Sequence, residues 1–351
     1  GKDLEKNVIC EILGNVGIVK MNRSKKLNAF TRELTTELTR ALEECERNEK
    51  VSLVILRGST ERAFSAGGDL RSDQLILEAE GLEQAVGELR GEYELGEYIS
   101  KYSKPLIAYM NGITMGGGAG ISMVAKFRIV TETTRWAMPE MKIGFFPDVG
   151  MAYFFSHMKR GIGKYLAMTS NTIVAEDCIW IGAADYKIQS QDYEKLQAAL
   201  VAFDWTSLSK EKREKKIEEI IQSVALEVGT SELEKNQKEI EAYFEKDSLE
   251  ELLEGLKKNA EHSEFAGKME EGMKTNSPLS MAITWEQMKR CESLSLEESY
   301  QLDTILARNF LSGKDMFEGV RAILVDKTGD PKWEYQRIED IPREVILSYF
   351  E

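Results

Sequence analysis

The first half of the chain alternates short apolar runs with helical patterns. Two apolar runs, residues 8–13 and 17–21, lie on either side of Gly14-Asn15 and predict a β-hairpin. Over residues 31–48 the apolar side chains recur at three- and four-residue steps, which predicts an amphipathic helix. Residues 51–56 form a continuous apolar run and predict a buried strand. This strand–helix–strand order predicts an α/β layered fold.

The second half changes character. From residue 192 the chain is densely charged, yet apolar residues keep a helical spacing, which predicts packed helices with solvated outer faces. Further elements are predicted as helices over 74–103, 151–158 and 161–168, two amphipathic helices within 278–312, and strands over 127–131 and 183–188. The predicted organisation is an α/β core over residues 1–190 and a helical C-terminal region over residues 191–351.

Two glycine-rich turns carry the strongest functional signal. The first is Gly67-Gly68, and the second spans residues 116–120; each lies between a predicted strand and a predicted helix. Glycines there let the backbone approach a ligand closely and leave N–H groups available to an anion. Glycines also serve tight helix–sheet packing, and the second turn fits neither G-x-G-x-x-G nor a P-loop. Two such turns together can present two N–H donors to one oxygen atom.

Two carboxylates stand in stiff turns shortly after the second glycine turn. Glu140 follows Pro139, and Asp148 follows Pro147, with a Gly-Phe-Phe segment between them. Gly144 and Pro147 permit the chain to fold back, so both carboxylates can face one pocket. Turn carboxylates are often solvated caps, but glycine donors combined with two carboxylates are the parts of an acyl-transfer site.

Composition excludes several classes of function. The 351 residues are 42% hydrophobic and 30% charged, the balance of a soluble globular protein. The formal net charge of −14 argues against nucleic acid or an anionic membrane as the main partner, and no apolar run approaches the ~20 residues of a membrane span. The N-terminal segment shows neither a signal peptide nor a transit pattern.

Cysteine and histidine usage argues against metal and triad chemistry. The four cysteines are widely scattered without C-x-x-C spacing, which favours reduced thiols over a disulfide framework or a zinc site. His157 and His262 are the only histidines, and neither belongs to a nucleophile motif. A Ser-His-Asp triad is therefore not indicated.

The motifs NRSKKLNAF, AFSAGGDLR, NGITMGGGAG, MPEMKIGFFPDVG and DMFEGVRAILVDKTGDPKW resemble those of the crotonase (enoyl-CoA hydratase/isomerase) superfamily. The last two are most similar to the 3-hydroxyisobutyryl-CoA hydrolase branch. The resemblance implies a crotonase-like ββα spiral core with a helical C-terminal region. It also implies hydrolysis of a short-chain hydroxyacyl-CoA thioester, 3-hydroxyisobutyryl-CoA above all, in valine catabolism.

The resemblance also implies the site. The oxyanion donors would be the backbone N–H groups of Gly68 and Gly117, with Glu140 and Asp148 as the catalytic carboxyls. The substrate contacts implied are Glu92, Gly117, Glu140 and Asp148, and the CoA contacts are Lys25, Ala66 and Asp69. The resemblance implies no metal or redox cofactor, and CoA counts as part of the substrate. The implied location is mitochondrial, with cytoplasmic or peroxisomal alternatives, and a homo-oligomer is possible.

One difference from the wider superfamily distinguishes hydrolysis from the alternative reactions. Hydratases carry a glutamate where this chain has Gly120, so addition of water across a double bond lacks one of its acid/base partners. Another crotonase-type reaction (isomerase, hydratase or decarboxylase) remains an alternative. A non-catalytic structural or ribosome-associated relative is the other, against which the retained Glu140, Asp148 and glycine turns argue.

Overall fold

The computed structural model describes residues 6–351. The predicted hairpin forms the first two strands of a six-stranded sheet. Strands β1 (Val8–Leu13) and β2 (Val16–Met21) pair antiparallel, which confirms the hairpin. The parallel strands that follow in the order β3, β5, β7, β9 are Leu53–Gly58, Leu106–Met110, Phe127–Val130 and Tyr186–Lys187. All six residues of β3 are buried, and the strand lies two residues later than the predicted run over residues 51–56, so that it includes Arg57 and Gly58.

A second sheet was not predicted from the sequence. It has three strands in the order β4 (Ala63–Ser65), β6 (Ile113–Met115) and β8 (Arg135–Ala137). Each strand is three residues long, too short to show a periodic pattern. Strands β4 and β6 are parallel, with Ser65 opposite Thr114. The two glycine turns therefore leave the same edge of one small sheet.

Helices occupy most of the remaining chain and match the predicted positions closely. The predicted helix over residues 31–48 is confirmed as α1 (Arg32–Arg47). The others, α2 to α18, are Leu70–Glu80, Leu82–Ser100, Gly117–Met123, Glu140–Ile143, Met151–Ser156, Ile162–Thr169, Ala175–Trp180, Tyr193–Ala202, Lys210–Val224, Glu232–Lys235, Gln237–Phe244, Leu249–Asn259, Glu264–Met273, Pro278–Cys291, Leu296–Leu311, Asp315–Gly319 and Arg343–Ser348. A π-helix, Val320–Val325, follows α17.

The chain groups into two compact units. The first contains the chain up to Gly68 with Glu94–Trp136 and Ile173–Glu234, and the second contains Asp69–Tyr93, Ala137–Thr172 and Lys235–Glu351. Each compact unit thus contains segments that are distant in sequence. The predicted domain division at residue 190 stays a prediction. The α/β class with a helical C-terminal region is confirmed.

The core of the first unit lies against the six-stranded sheet. Side chains of β2, β3, β5 and β7 pack with apolar residues of α9 and α10 and with the fully buried Trp205, which lies between those two helices. This packing explains why α10 keeps Ile217 and Ile221 among many charged residues: both are completely buried. Within residues 6–351 no helix is both long enough and apolar enough to cross a bilayer.

Candidate active site

The two glycine-rich segments touch each other in the first unit, although helix α4 begins at Gly117, so only Gly116 of the predicted turn over residues 116–120 precedes the helix. Gly67 has a φ of +92°, and a Cβ added there would lie 2.6 Å from the Gly117 nitrogen and 2.8 Å from the Met115 carbonyl oxygen. A Cβ at Gly118 would lie 2.3 Å from the Ser65 carbonyl oxygen. Both approaches are closer than real Cβ atoms come, so only glycine lets the two backbones meet. The backbones that carry Gly68 and Gly117 are therefore neighbours.

The loop that carries Lys25 is anchored to the first glycine turn. Asn28 is fully buried in the left-handed region with a φ of 56°, a conformation that asparagine tolerates. Its Nδ2 donates to the carbonyl oxygens of Ala63 and Phe64 at 3.2 and 3.1 Å. The Ser65 hydroxyl donates to the Asn28 carbonyl oxygen at 2.9 Å and accepts from the Gly67 N–H at 3.0 Å. This network gives Asn28, the second asparagine of NRSKKLNAF, a structural role.

The expected CoA contacts occupy different settings. Lys25 lies in a short 3₁₀ turn, Ser24–Lys26, and its side chain is exposed. Ala66 donates its N–H to the Leu27 carbonyl oxygen at 2.8 Å, so the lysine loop and the first glycine turn are directly bonded. Asp69 caps helix α2, and its Oδ1 accepts from the Ser72 N–H at 2.9 Å. Their roles toward CoA stay predictions.

The two candidate catalytic carboxyls lie in the second unit and are both buried. Glu140 begins the single-turn helix α5, and its side-chain Oε1 has no hydrogen-bond partner among residues 6–351. Asp148 precedes Val149, whose φ of 55° places a β-branched residue in the left-handed region. Such a conformation costs about 1–3 kcal/mol and persists only where the surroundings impose it.

Two C-terminal helices hold this strained turn in place. Asp303 of α16 accepts the Gly150 N–H through Oδ2 at 2.9 Å. Gln287 of α15 donates from Nε2 to the Pro147 carbonyl oxygen at 3.0 Å and to Asp303 Oδ1 at 3.2 Å. Both side chains are almost completely buried. They fix the backbone immediately before and after Asp148 and Val149.

Burial sets the protonation of the carboxyl pair. It raises the pKa of Glu140 well above its usual range, and the nearby Asp148 raises it further. Burial raises the pKa of Asp148 to about 7, although a hydrogen bond from the Tyr93 hydroxyl to Oδ2, 2.8 Å long, opposes the shift. The Asp148 value of about 7 suits proton transfer near neutral pH.

Further buried acids surround this pair. Glu88 and Glu92 are four residues apart on α3, and Asp73 lies on α2 with no exposed surface. Neither side-chain oxygen of Asp73 has a hydrogen-bond partner among residues 6–351. Burial raises the pKa of Asp73 and of Glu92, and the neighbouring carboxyls, Asp148 included, raise both further. Glu92 thus belongs to the same acidic group as Asp148.

Sequence reasoning missed several of these residues. Tyr93, Asp73, Gln287 and Asp303 were not singled out. Tyr93 directly follows the candidate residue Glu92, and this adjacency was the one sequence feature that could have indicated a role for Tyr93. Asp303 lies 153 positions from Gly150 on a helix with other acids, and nothing local distinguishes it. Within residues 6–351 no group of three or more His, Cys, Asp or Glu side chains could hold a metal ion.

Comparison with known proteins identifies relatives along almost the whole chain. The chain is 34% identical over 348 residues to the mitochondrial 3-hydroxyisobutyryl-CoA hydrolase of Danio rerio, covering 98% of this chain and 89% of that protein. It is 33% identical over 364 residues to the small ribosomal subunit protein mS47 of Neurospora crassa, covering 99% and 71%.

Solved structures show the same fold. A carnitinyl-CoA dehydratase from Mycobacterium thermoresistibile superposes with a TM-score of 0.89 at 29% identity, covering 98% of this chain and 96% of that one. An enoyl-CoA hydratase from Rhodobacter sphaeroides gives 0.87 at 28% identity, covering 98% and 97%. These likenesses confirm the expected crotonase-like fold. Because the enoyl-CoA hydratase/isomerase profile also matches residues 16–350, the chain belongs to the enoyl-CoA hydratase/isomerase (crotonase) family.

Proposed function

We propose that the protein hydrolyses a short-chain hydroxyacyl-CoA thioester, 3-hydroxyisobutyryl-CoA above all, to the free acid and CoA. The family assigns it acyl-CoA chemistry, and the relatives named 3-hydroxyisobutyryl-CoA hydrolase support the finer assignment. The observation that carries the proposal is the buried pair Glu140 and Asp148. They are eight positions apart in the sequence, and the strained residue Val149 directly follows Asp148.

In this proposal the thioester oxygen accepts hydrogen bonds from the N–H groups of Gly68 and Gly117. These donors stabilise the negative charge that develops when oxygen attacks the carbonyl carbon, and losing one such donor costs about 3–4 kcal/mol of barrier. Glu140 either attacks directly, forming an anhydride, or removes a proton from the attacking water. Asp148 orients that water or donates a proton to the departing CoA thiolate, and no metal takes part.

The pKa of Asp148 fits its role, whereas Glu140, whose pKa burial raises well above its usual range, must lose its proton before it attacks or acts as a base. An Asp148 pKa of about 7 leaves part of the population protonated at neutral pH, so the group can donate a proton. Glu92 would meet the hydroxyl of the acyl chain. Lys25, Ala66 and Asp69 would contact the CoA portion, with the lysine attracting phosphate in an otherwise acidic protein.

The experiment that tests the proposal is a free-thiol release assay across a panel of short-chain acyl-CoAs, hydroxyacyl-CoAs and enoyl-CoAs. We expect CoA release to be fastest with the 3-hydroxyacyl esters. Loss of the enoyl chromophore without CoA release would instead assign a hydratase. Gly120 opposes that alternative, because it lies buried inside helix α4 and supplies no carboxyl.

The relative named as a ribosomal subunit protein supports a second candidate, a structural role in a ribosome. The two candidates separate cleanly in experiment. Co-sedimentation with the small ribosomal subunit, combined with no thiol release from any ester, would favour the structural role. The relatives named mitochondrial 3-hydroxyisobutyryl-CoA hydrolases support a mitochondrial location.

A further inference from the structure

Two of the four thiols lie side by side in the first unit. Cys10 is on the edge strand β1, and Cys45 is in the last turn of helix α1. Their Sγ atoms are 3.7 Å apart. Cys10 is exposed, whereas Cys45 is 1% exposed. The sequence, in which 35 positions separate them, gave no reason to pair these two over Cys178 or Cys291.

The local structure holds the Cys45 thiol toward Cys10. A Cβ added at Gly17 of β2 would lie 2.8 Å from Cys45 Sγ, so the glycine leaves the space in which that sulfur sits. The Lys104 ammonium donates to the carbonyl oxygens of Cys45 and Asn48, each at 2.8 Å, and ties down the end of the helix. The short sulfur–sulfur distance therefore results from packing around Cys45.

The two thiols differ in reactivity. The hydrogen bond with Cys45 lowers the pKa of Cys10, and the same bond together with burial raises the pKa of Cys45. Among the charged neighbours, Glu11 and Glu44 oppose the thiolate at Cys10, and Lys104 favours a thiolate at Cys45. The thiolate is the nucleophilic form of cysteine. The exposed Cys10 is thus the first to react, and Cys45 stands next to it as a protonated partner.

We propose that Cys10 and Cys45 form a peroxide-reactive site that closes reversibly into an intramolecular disulfide. The Cys10 thiolate attacks one peroxide oxygen, the O–O bond breaks, and protonation of the leaving oxygen gives water and a Cys10 sulfenic acid. Cys45 Sγ then attacks the Cys10 sulfur, the S–O bond breaks, and the second oxygen leaves as water. The two sulfurs lose two electrons in total, which the peroxide gains. A thiol reductant reverses the change.

To form the disulfide, the sulfurs must approach from 3.7 Å to the ~2.05 Å of an S–S bond, and the proposal assigns this shift to rotation of the exposed Cys10 side chain. The bond would tie edge strand β1 to α1 and close the chain between residues 10 and 45, which constrains the unfolded state. At the opposite end of α1, Phe30 donates its N–H to the Gly67 carbonyl oxygen at 2.7 Å. Because Cys45 lies about 20 Å along the helix from there, we expect higher stability with unchanged thioester turnover.

The full chain, exposed to hydrogen peroxide and digested without reductant, tests the proposal directly. We expect a Cys10–Cys45 cross-linked peptide that disappears with dithiothreitol, while Cys178 and Cys291 stay free. The melting temperature should rise on oxidation and return on reduction, and a Cys10→Ser variant should show neither response. Oxidation of Cys10 to sulfinic or sulfonic acid without the cross-link would overturn the proposal. A cross-link between two chains, or a Cys10 no more reactive than the buried Cys178, would overturn it as well.

Discussion

The Tyr93 hydroxyl donates a hydrogen bond to Asp148 Oδ2 over 2.8 Å, joining helix α3 to the turn that carries a candidate catalytic acid. The bond favours the charged carboxylate and holds the pKa of Asp148 at about 7 against burial, which raises it. Tyr93 is therefore a positioning residue that lowers the proton affinity of Asp148.

Replacing Tyr93 with Phe tests this relationship. The pKa of Asp148 should rise, because its charged form loses a donor. If Asp148 delivers a proton to the leaving thiolate, the alkaline limb of the kcat profile should move to higher pH by about one unit. Tyr98→Phe is the matched control, since the Tyr98 hydroxyl bonds Glu46 instead. A profile that does not move in Tyr93→Phe would show that Asp148 is not the titrating acid.

The strained turn depends on Asp303. Asp303 accepts one hydrogen bond on each of its two oxygens, whereas Asn has a single acceptor oxygen. If that oxygen accepts from Gly150 in Asp303→Asn, the amide nitrogen faces the Gln287 donor, so one of the two bonds is lost. We expect kcat to fall about 10- to 100-fold and the free energy of unfolding to fall by about 1–3 kcal/mol. Gln301→Ala, at an exposed position of the same helix, should leave both unchanged. Full activity in Asp303→Asn would mean that the turn holds its shape without this support.

Lys25 and Lys26 are the basic candidates for the CoA phosphates. Replacing both with Ala should raise KM for CoA esters and leave kcat nearly unchanged, as expected for a uniform loss of binding. The effect should shrink at high salt, because the two side chains are exposed. Lys50→Ala is a control at another exposed position. An unchanged KM in the double variant would remove these lysines from the site.

Asp73 predicts an unusual dependence of stability on pH. Its pKa in the folded protein is raised, so the folded state binds the proton more tightly than the unfolded chain does. The contribution is favourable below the unfolded pKa of about 3.9 and is lost as pH rises toward the folded value. Asp73→Asn should therefore raise the free energy of unfolding at pH 8 by about 1–3 kcal/mol, and by less at pH 5.

Urea unfolding at the two pH values measures this difference. Asp204→Asn is the control, because Asp204 is fully exposed and its hydrogen bonds with Thr206 shift its pKa in the opposite direction. A destabilised Asp73→Asn at pH 8 would show that the folded protein uses the charged carboxylate.

Local sequence patterns predicted the elements whose signals are local. The β-hairpin and helix α1 lie where their apolar patterns predicted them, and strand β3 lies two residues later than its continuous apolar run. Strands β4, β6 and β8 were missed because three residues carry no measurable alternation. Their pairing brings the glycine turns to one edge, so the reason for that convergence became visible only in three dimensions.

The residues of the candidate site likewise divide into those that local sequence patterns predict and those that such patterns miss. The glycine turns and the proline-linked carboxylates could be recognised because each pattern lies within a few consecutive residues. The support from Gln287 and Asp303 comes from 140 and 153 positions away in the chain, and no single-sequence pattern links such distances. The left-handed conformation of Val149 could not be predicted from the sequence either, because valine normally avoids that conformation.

Glu140→Gln gives the most direct test of thioester hydrolysis at this site. The measurement is CoA release from 3-hydroxyisobutyryl-CoA, paired with the affinity of the same variant for the ester. We expect release to fall by about 10²–10⁴-fold or more while binding survives, and the double variant with Asp148→Asn to cost little beyond the worse single change. Glu94→Gln, at an exposed position of helix α3, should behave as the unaltered protein. Near-normal CoA release by Glu140→Gln would contradict the mechanism.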